Sequence, residues 1–194
     1  MSTTAGELEP FPVEAGVWVI VLGELCVFTL FFVTFLYYRA FSPEVFEASR
    51  ITLSQGLGAL NTLLLLTSSW FVASAVRALC GFTDRRKALH HFVGAFICGV
   101  AFVLVKIFEY GSAFSDGVNV LTDDFFMFYF MLTGIHLLHL LVGMTLLGAM
   151  ILHLKGTLAA NGEISQTLVG FSSCFWHMLD LVWIVLFPLL YLLR

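Results

Sequence analysis

The side chains of this sequence that could do chemistry stand where such groups are costly: Glu24, Lys106, Glu109, His136, His139, His177 and Asp180 all lie inside long apolar runs. An ionisable group at the centre of a membrane helix costs at least ~2.5 kcal/mol, so each needs a partner or a use. Spacing narrows the choices. Lys106 and Glu109, His136 and His139, and His177 and Asp180 are each three residues apart, on one helical face. The first pair reads as a local ion pair. In the last, a carboxylate beside an imidazole fixes its tautomer and offsets part of the desolvation of both. Gly143 follows on the face of His136 and His139.

Such groups could serve as metal or haem ligands or as interhelical hydrogen bonds. A diheme membrane cytochrome b can be drawn with His136 opposite His177 and His91 opposite His153. Against it, His90, His91 and His153 border loops, and His177 already has Asp180 beside it. Hydrogen bonding is the better expectation. Cys26, Cys80, Cys98 and Cys174 are isolated, with no CxxC or CxxCH spacing, so zinc, iron-sulfur and covalent c-type haem are not indicated. They read as small packing residues.

The elements that must position these residues follow from composition. Sixty per cent of the 194 residues are apolar and 11% are charged, and the mean hydropathy of +0.98 is outside the range of soluble domains. A bilayer core of about 30 Å needs about 20 apolar residues in a helix. Five stretches qualify, at about 14–38, 53–79, 88–111, 123–153 and 165–193. No stretch alternates as a barrel strand would. The expected fold is an all-α, integral membrane bundle of five transmembrane helices in one domain spanning 1–194. The Ser42-Pro43 turn, the charged loop from Thr83 to Lys87 and the Asn161-Gly162 break separate the helices. Asp123 and Asp124 open the fourth, where carboxylates suit the helix dipole. The segment from Met1 to Val13 carries Glu7 and Glu9 but no basic residue, unlike a signal peptide, and is expected to be retained.

At 1.5 Å per residue, Glu24, His136 and His177 fall at about one depth, roughly 15 Å in, which predicts a shared polar cluster. Gly58, Thr62, Ser69 and Ala73 form a small-residue stripe suited to close helix packing. With the N-terminus cytoplasmic, that side carries five basic residues, Arg77, Arg85, Arg86, Lys87 and Lys155. The other side carries three, Arg39, Arg50 and Arg194, or four with Lys106. The bias favours N-terminus in and C-terminus out. The net charge of −4 and the lack of a longer basic cluster give no sign of nucleic-acid binding.

Five motifs in register carry a resemblance: Glu24 in GVWVIVLGELCVFTLFF, Asn61-Thr62 in ALNTLLLLTSS, Glu109-Tyr110 closing the helix after DRRKAL, TGIHLLHLLVG, and FWHMLDLVWIVLFPLLYLL. In order and spacing they resemble the haem-copper oxidase subunit III family over nearly the whole chain, matching the last five helices of its seven-helix form. The resemblance implies a non-catalytic subunit III of a respiratory terminal oxidase, using cytochrome c or quinol, in the bacterial inner membrane. Such a subunit packs on catalytic subunit I beside subunit II, holds phospholipid, and supports proton uptake and enzyme lifetime. Haem and copper then belong to the catalytic subunit and none to this chain. Glu24 would match the family's buried carboxylate facing the lipid cleft and subunit I. Glu109, His136, His139, His177 and Asp180 would match its polar interior, with Asn61, Trp176 and Trp183 in the same motifs. The first two helices of the longer form, one arm of the lipid cleft, have no counterpart here. The opening PFPVEAGVWVIVLGEL and the stretch FFMFYFMLTGIHLLHLL also resemble accessory proteins of nitric oxide reductase, the alternative reading.

Overall fold

A computed structural model describes residues 15–80, 85–160 and 165–193. The opening segment, the loop before Arg85 and the Asn161-Gly162 break lie outside the described residues. Five long helices, α1 (Ala15–Phe41), α3 (Gln55–Cys80), α4 (Arg85–Ser115), α5 (Asp124–Ala160) and α6 (Gln166–Phe187), are long and apolar enough to cross a membrane. The described residues contain no strand. A short amphipathic helix, α2 (Pro43–Arg50), joins α1 to α3. The sequence suggested only a turn there, because proline breaks helices in their interior. Pro43 instead occupies the first turn, where its missing N–H has no partner to lose.

Helices α4 and α5 run beyond the expected apolar spans, and local chemistry sets the ends of the elements. Gly117, at φ +77°, adopts the left-handed conformation after α4. The N–H of Val118 reaches back to Ala113 O at 2.9 Å and that of Gly117 to Phe114 O at 3.1 Å, which satisfies the last carbonyls. Asp123 caps α5, accepting the Phe126 N–H at 2.8 Å on Oδ1 and the Ser49 hydroxyl of α2 at 2.5 Å on Oδ2. Ser165 caps α6. Beyond Phe187 the helix widens into a π turn, Pro188–Leu192, closed by Leu193 N–H on Pro188 O at 2.8 Å.

Helix α6 is the axis of the bundle, packed against α1, α3 and α5, while α4 joins α3 to α5. The most extensive pairing is α3 with α4. The buried residues of α3 are Gly58, Asn61, Leu65, Ser68, Val72, Ala75 and Leu79, and those of α4 are Ala88, Phe92, Ala95, Gly99, Phe102, Lys106 and Glu109. Both series advance by alternate threes and fours, the period of a supercoiled seam. Small residues let the backbones close, and Ser68 Oγ donates to Ala95 O at 3.1 Å across the seam. The stripe Gly58, Thr62 and Ser69 turns toward α6. Gly58 lies under Phe187 and Tyr191, where a Cβ would be 2.8 Å from the Phe187 ring.

Candidate functional site

The polar residues of the apolar runs gather into three separate places, not one cluster. The first joins α4 to the end of α6. Lys106 Nζ donates to Glu109 Oε2 at 2.8 Å and to Tyr191 Oη at 2.8 Å, and Tyr191 Oη donates to Glu109 Oε1 at 2.6 Å. All three side chains are buried. The ammonium also lies 5.0 Å from the Trp183 ring and 5.3 Å from that of Tyr129, which share in holding the charge. Burying two ions costs several kcal/mol each, which close pairing offsets only when the remaining protons and lone pairs are also satisfied. The tyrosine closes that ring of bonds. Its backbone takes part as well: Tyr191 O accepts Arg50 Nη1 at 3.0 Å and Gln55 Nε2 at 3.2 Å. Arg50 is fixed by two hydrogen bonds to Glu47, which hold its guanidinium above its ordinary pKa against the opposing effect of burial.

The second place joins α1 to α5. Glu24 Oε2 lies 3.1 Å from His139 Nε2, and His139 Nδ1 is 2.8 Å from Ile135 O. A carbonyl can only accept, so Nδ1 carries a proton and its bond to Ile135 O fixes the orientation of the ring. Phe28 packs edge-on to the imidazole, with ring centroids 5.6 Å apart. Both polar side chains remain partly open at the surface of the bundle.

The third joins α3 to α6. Ser69 Oγ lies 2.8 Å from His177 Nδ1, with Asp180 Oδ2 3.7 Å from the same nitrogen. Asp180 is buried, and neither of its oxygens has a hydrogen bond among the described residues. His177 is the open member, its side chain 41% exposed.

His136 belongs to none of these. Depth alone had placed it with Glu24 and His177, but depth does not fix direction around a helix axis. Its ring is fully buried between Trp183, 5.1 Å away, and Phe102, 5.9 Å away, and neither nitrogen has a hydrogen bond among the described residues. Asn61 is buried in the α3–α4 seam and is likewise without hydrogen bonds there. Trp183 Nε1 donates to Thr62 Oγ1 at 3.0 Å. Trp176 fills a slot between Gly99 and Gly143: a Cβ on either would stand 3.1 Å from the indole.

The facing histidine pairs of a diheme cytochrome do not form. His136 and His177 are directed to different neighbours. His91 packs on Trp70 and Phe71, and His153 Nε2 accepts the Ser165 N–H at 3.1 Å. Among the described residues no three of His, Cys, Asp and Glu gather as metal ligands would. The i,i+3 pairs were visible in the sequence. Tyr191, Ser69 and Thr62 were not, because each reaches its partner from more than 80 positions away.

The sequence model of the family described as cytochrome c oxidase subunit III matches residues 10–193. The chain belongs to the cytochrome c oxidase subunit III family. Quinol oxidase subunit 3 of Bacillus subtilis (strain 168) is 28% identical over 92% of this chain and 85% of its own length. Cytochrome c oxidase subunit 3 of a Synechocystis species is 30% identical over 92% of this chain and 74% of its own. A protein of Aeropyrum pernix described as heme-copper oxidase subunit I+III is 24% identical over 94% of this chain, which spans only 23% of that longer polypeptide. As a subunit III, the chain is a membrane protein with an accessory role.

Proposed function

We propose that this subunit III packs, as a single domain, on the catalytic subunit I of a haem-copper terminal oxidase, beside subunit II, in a bacterial inner membrane. The observation that carries the reading is the family correspondence from residue 10 to residue 193. It is supported by the Aeropyrum relative, whose description joins subunits I and III in one polypeptide. Haem and copper belong to the catalytic partner. Lys106, Glu109 and Asp180, with Asn61, His136, Trp176 and Trp183, form a buried scaffold that holds α3, α4, α5 and α6 in fixed register. The half-open pair Glu24 and His139 forms a wall for phospholipid, through which the subunit supports proton uptake and enzyme lifetime.

The N-terminus is cytoplasmic and the C-terminal end of α6 periplasmic. Arg77, Arg85, Arg86, Lys87 and Lys155 stand at one edge, against Arg39 and Arg50 at the other. Lys106 and Arg50 are both buried against glutamates, and Arg194 lies outside the described residues.

Purification through a tag on this chain in mild detergent tests the proposal. The expected result is a large copurifying subunit with haem absorption and a separated subunit III without it. A folded chain that never associates with a haem protein overturns the reading. The nitric oxide reductase alternative rests on the motif resemblance alone, whereas the relatives above are named as quinol and cytochrome c oxidase subunits. A deletion strain separates the two: the oxidase reading expects impaired aerobic oxidase activity, and the alternative expects impaired growth on nitrite at low oxygen.

A further inference from the structure

His177 lies eleven positions after the start of the last span and fifteen before its end, or about 16 and 22 Å along the helix. That is the middle of the hydrocarbon. A polar group at this depth is expected to turn inward, yet the His177 side chain is 41% exposed, and the described residues give Nε2 no hydrogen bond. The other nitrogen is hydrogen-bonded to Ser69 of α3, with the Asp180 carboxyl of α6 3.7 Å away. With Nδ1 held by Ser69, Nε2 is the nitrogen of a partly exposed side chain that has no partner among the described residues.

The surface around it has the form of a helix seat. Because α3 and α1 flank α6, the outward residues of α6 run as a stripe: His177, Leu181, Ile184 and Val185, the last three 52%, 47% and 43% exposed. Spacing of four, three and one is that of a single helical face. An apolar stripe of this kind fits lipid or helix equally, and the histidine decides between them. A phospholipid headgroup lies at the interface, about 15 Å above, and its chains carry no hydrogen-bonding group. A transmembrane helix can bring a polar side chain to the midplane, where an interhelical hydrogen bond relieves both partners.

We infer that the outward stripe of α6 is where a transmembrane helix of the catalytic subunit lies, with a polar side chain of that helix hydrogen-bonded to His177 Nε2. The inference rests on the oxidase reading above and adds the face and the contact. Ser69 and Asp180 act as positioning residues for this contact.

The test uses the assembled complex. A photoreactive amino acid replaces Leu181 in one version of the chain and Leu138, an exposed residue of α5, in another. After illumination, the Leu181 version is expected to cross-link to the catalytic subunit at an intramembrane peptide, and the Leu138 version is not. In parallel, His177→Leu should lower the fraction of complex retaining this chain in detergent by about tenfold, and His177→Gln should restore most of it.

Cross-links from Leu181 to lipid, to quinone or to a second copy of this chain, in a complex that still copurifies, overturn the inference and leave the oxidase reading standing. So does retention unchanged in His177→Leu. Absence of any haem-containing partner overturns both. The cross-linking arm leaves His177 in place, so poor folding of the histidine variants does not remove the test.

Discussion

Replacing Lys106 by methionine puts the ion pair to a quantitative test. Methionine keeps the length of the stem and removes the charge, leaving Glu109 buried with only the Tyr191 hydroxyl at 2.6 Å. Removing one partner of a buried pair costs about 3–5 kcal/mol. An uncompensated carboxylate at the centre of a membrane helix costs about 2.5–3.5 kcal/mol on insertion scales, an upper bound for Glu109, which lies near the end of its span. The two meet near ~3 kcal/mol, about two decades in the unfolding equilibrium. Tyr191→Phe removes the shared hydroxyl but leaves Lys106 and Glu109 2.8 Å apart, so its cost is that of interhelical hydrogen bonds alone, about 0.6–1.7 kcal/mol. The decisive variant is the double substitution Lys106→Met with Glu109→Leu. It leaves no orphaned ion and should recover most of the stability lost by Lys106→Met, since apolar replacement of a buried pair is often neutral. Reversible unfolding in mixed detergent micelles, followed by tryptophan fluorescence, ranks the three. If the double variant is as unstable as Lys106→Met, the pair is not held together by mutual compensation and the account of this site fails.

Gly143→Ala forces a methyl to 2.7 Å from Leu179 Cδ1 and 3.1 Å from Trp176, and should cost about 1–3 kcal/mol by overpacking. Gly134→Ala, with open space at the same test, should be neutral in the same assay. Asp123→Ala removes both the cap of α5 and the Ser49 bond, and a loss of about 1 kcal/mol is expected, with faster hydrogen exchange confined to the first turn of α5. Arg50→Gln shortens the only tie from α2 to Tyr191 O, so exchange of the Leu193 amide should rise while the α3–α4 seam is unaffected; uniform exchange across both would contradict this role. Glu24→Ala should leave insertion intact while lowering bound phospholipid or shortening the working life of the complex, and native values of both would refute Glu24 as part of a lipid wall.

Hydrophobic length made the five spans legible, because lipid imposes a minimum run that few other structures need. The short helix α2 escaped the same reading: eight residues with a proline and three charges carry no length signal, and only the position of Pro43 within its first turn explains it. Local pairs were legible for a related reason. Lys106 with Glu109 and His177 with Asp180 share a face by arithmetic. Contacts between helices need the rotation of each helix about its axis. For that reason Glu24 could be given a depth but not a partner, and the structure pairs it with His139 and not His136. The π turn that directs the Tyr191 hydroxyl at Lys106 has no local signature apart from Pro188.

The slot that holds Trp176 has a consequence for how this family can drift. A Cβ on Gly99 or Gly143, on two other helices, would stand 3.1 Å from the indole, so a side chain at either position requires the tryptophan to give way. The tryptophan in turn cannot shrink without opening a void bounded by three helices. The three positions behave as one inherited unit: sequences that lose the large ring at 176 should be those in which 99 or 143 has gained a methyl, and intermediates carrying one change alone should be scarce.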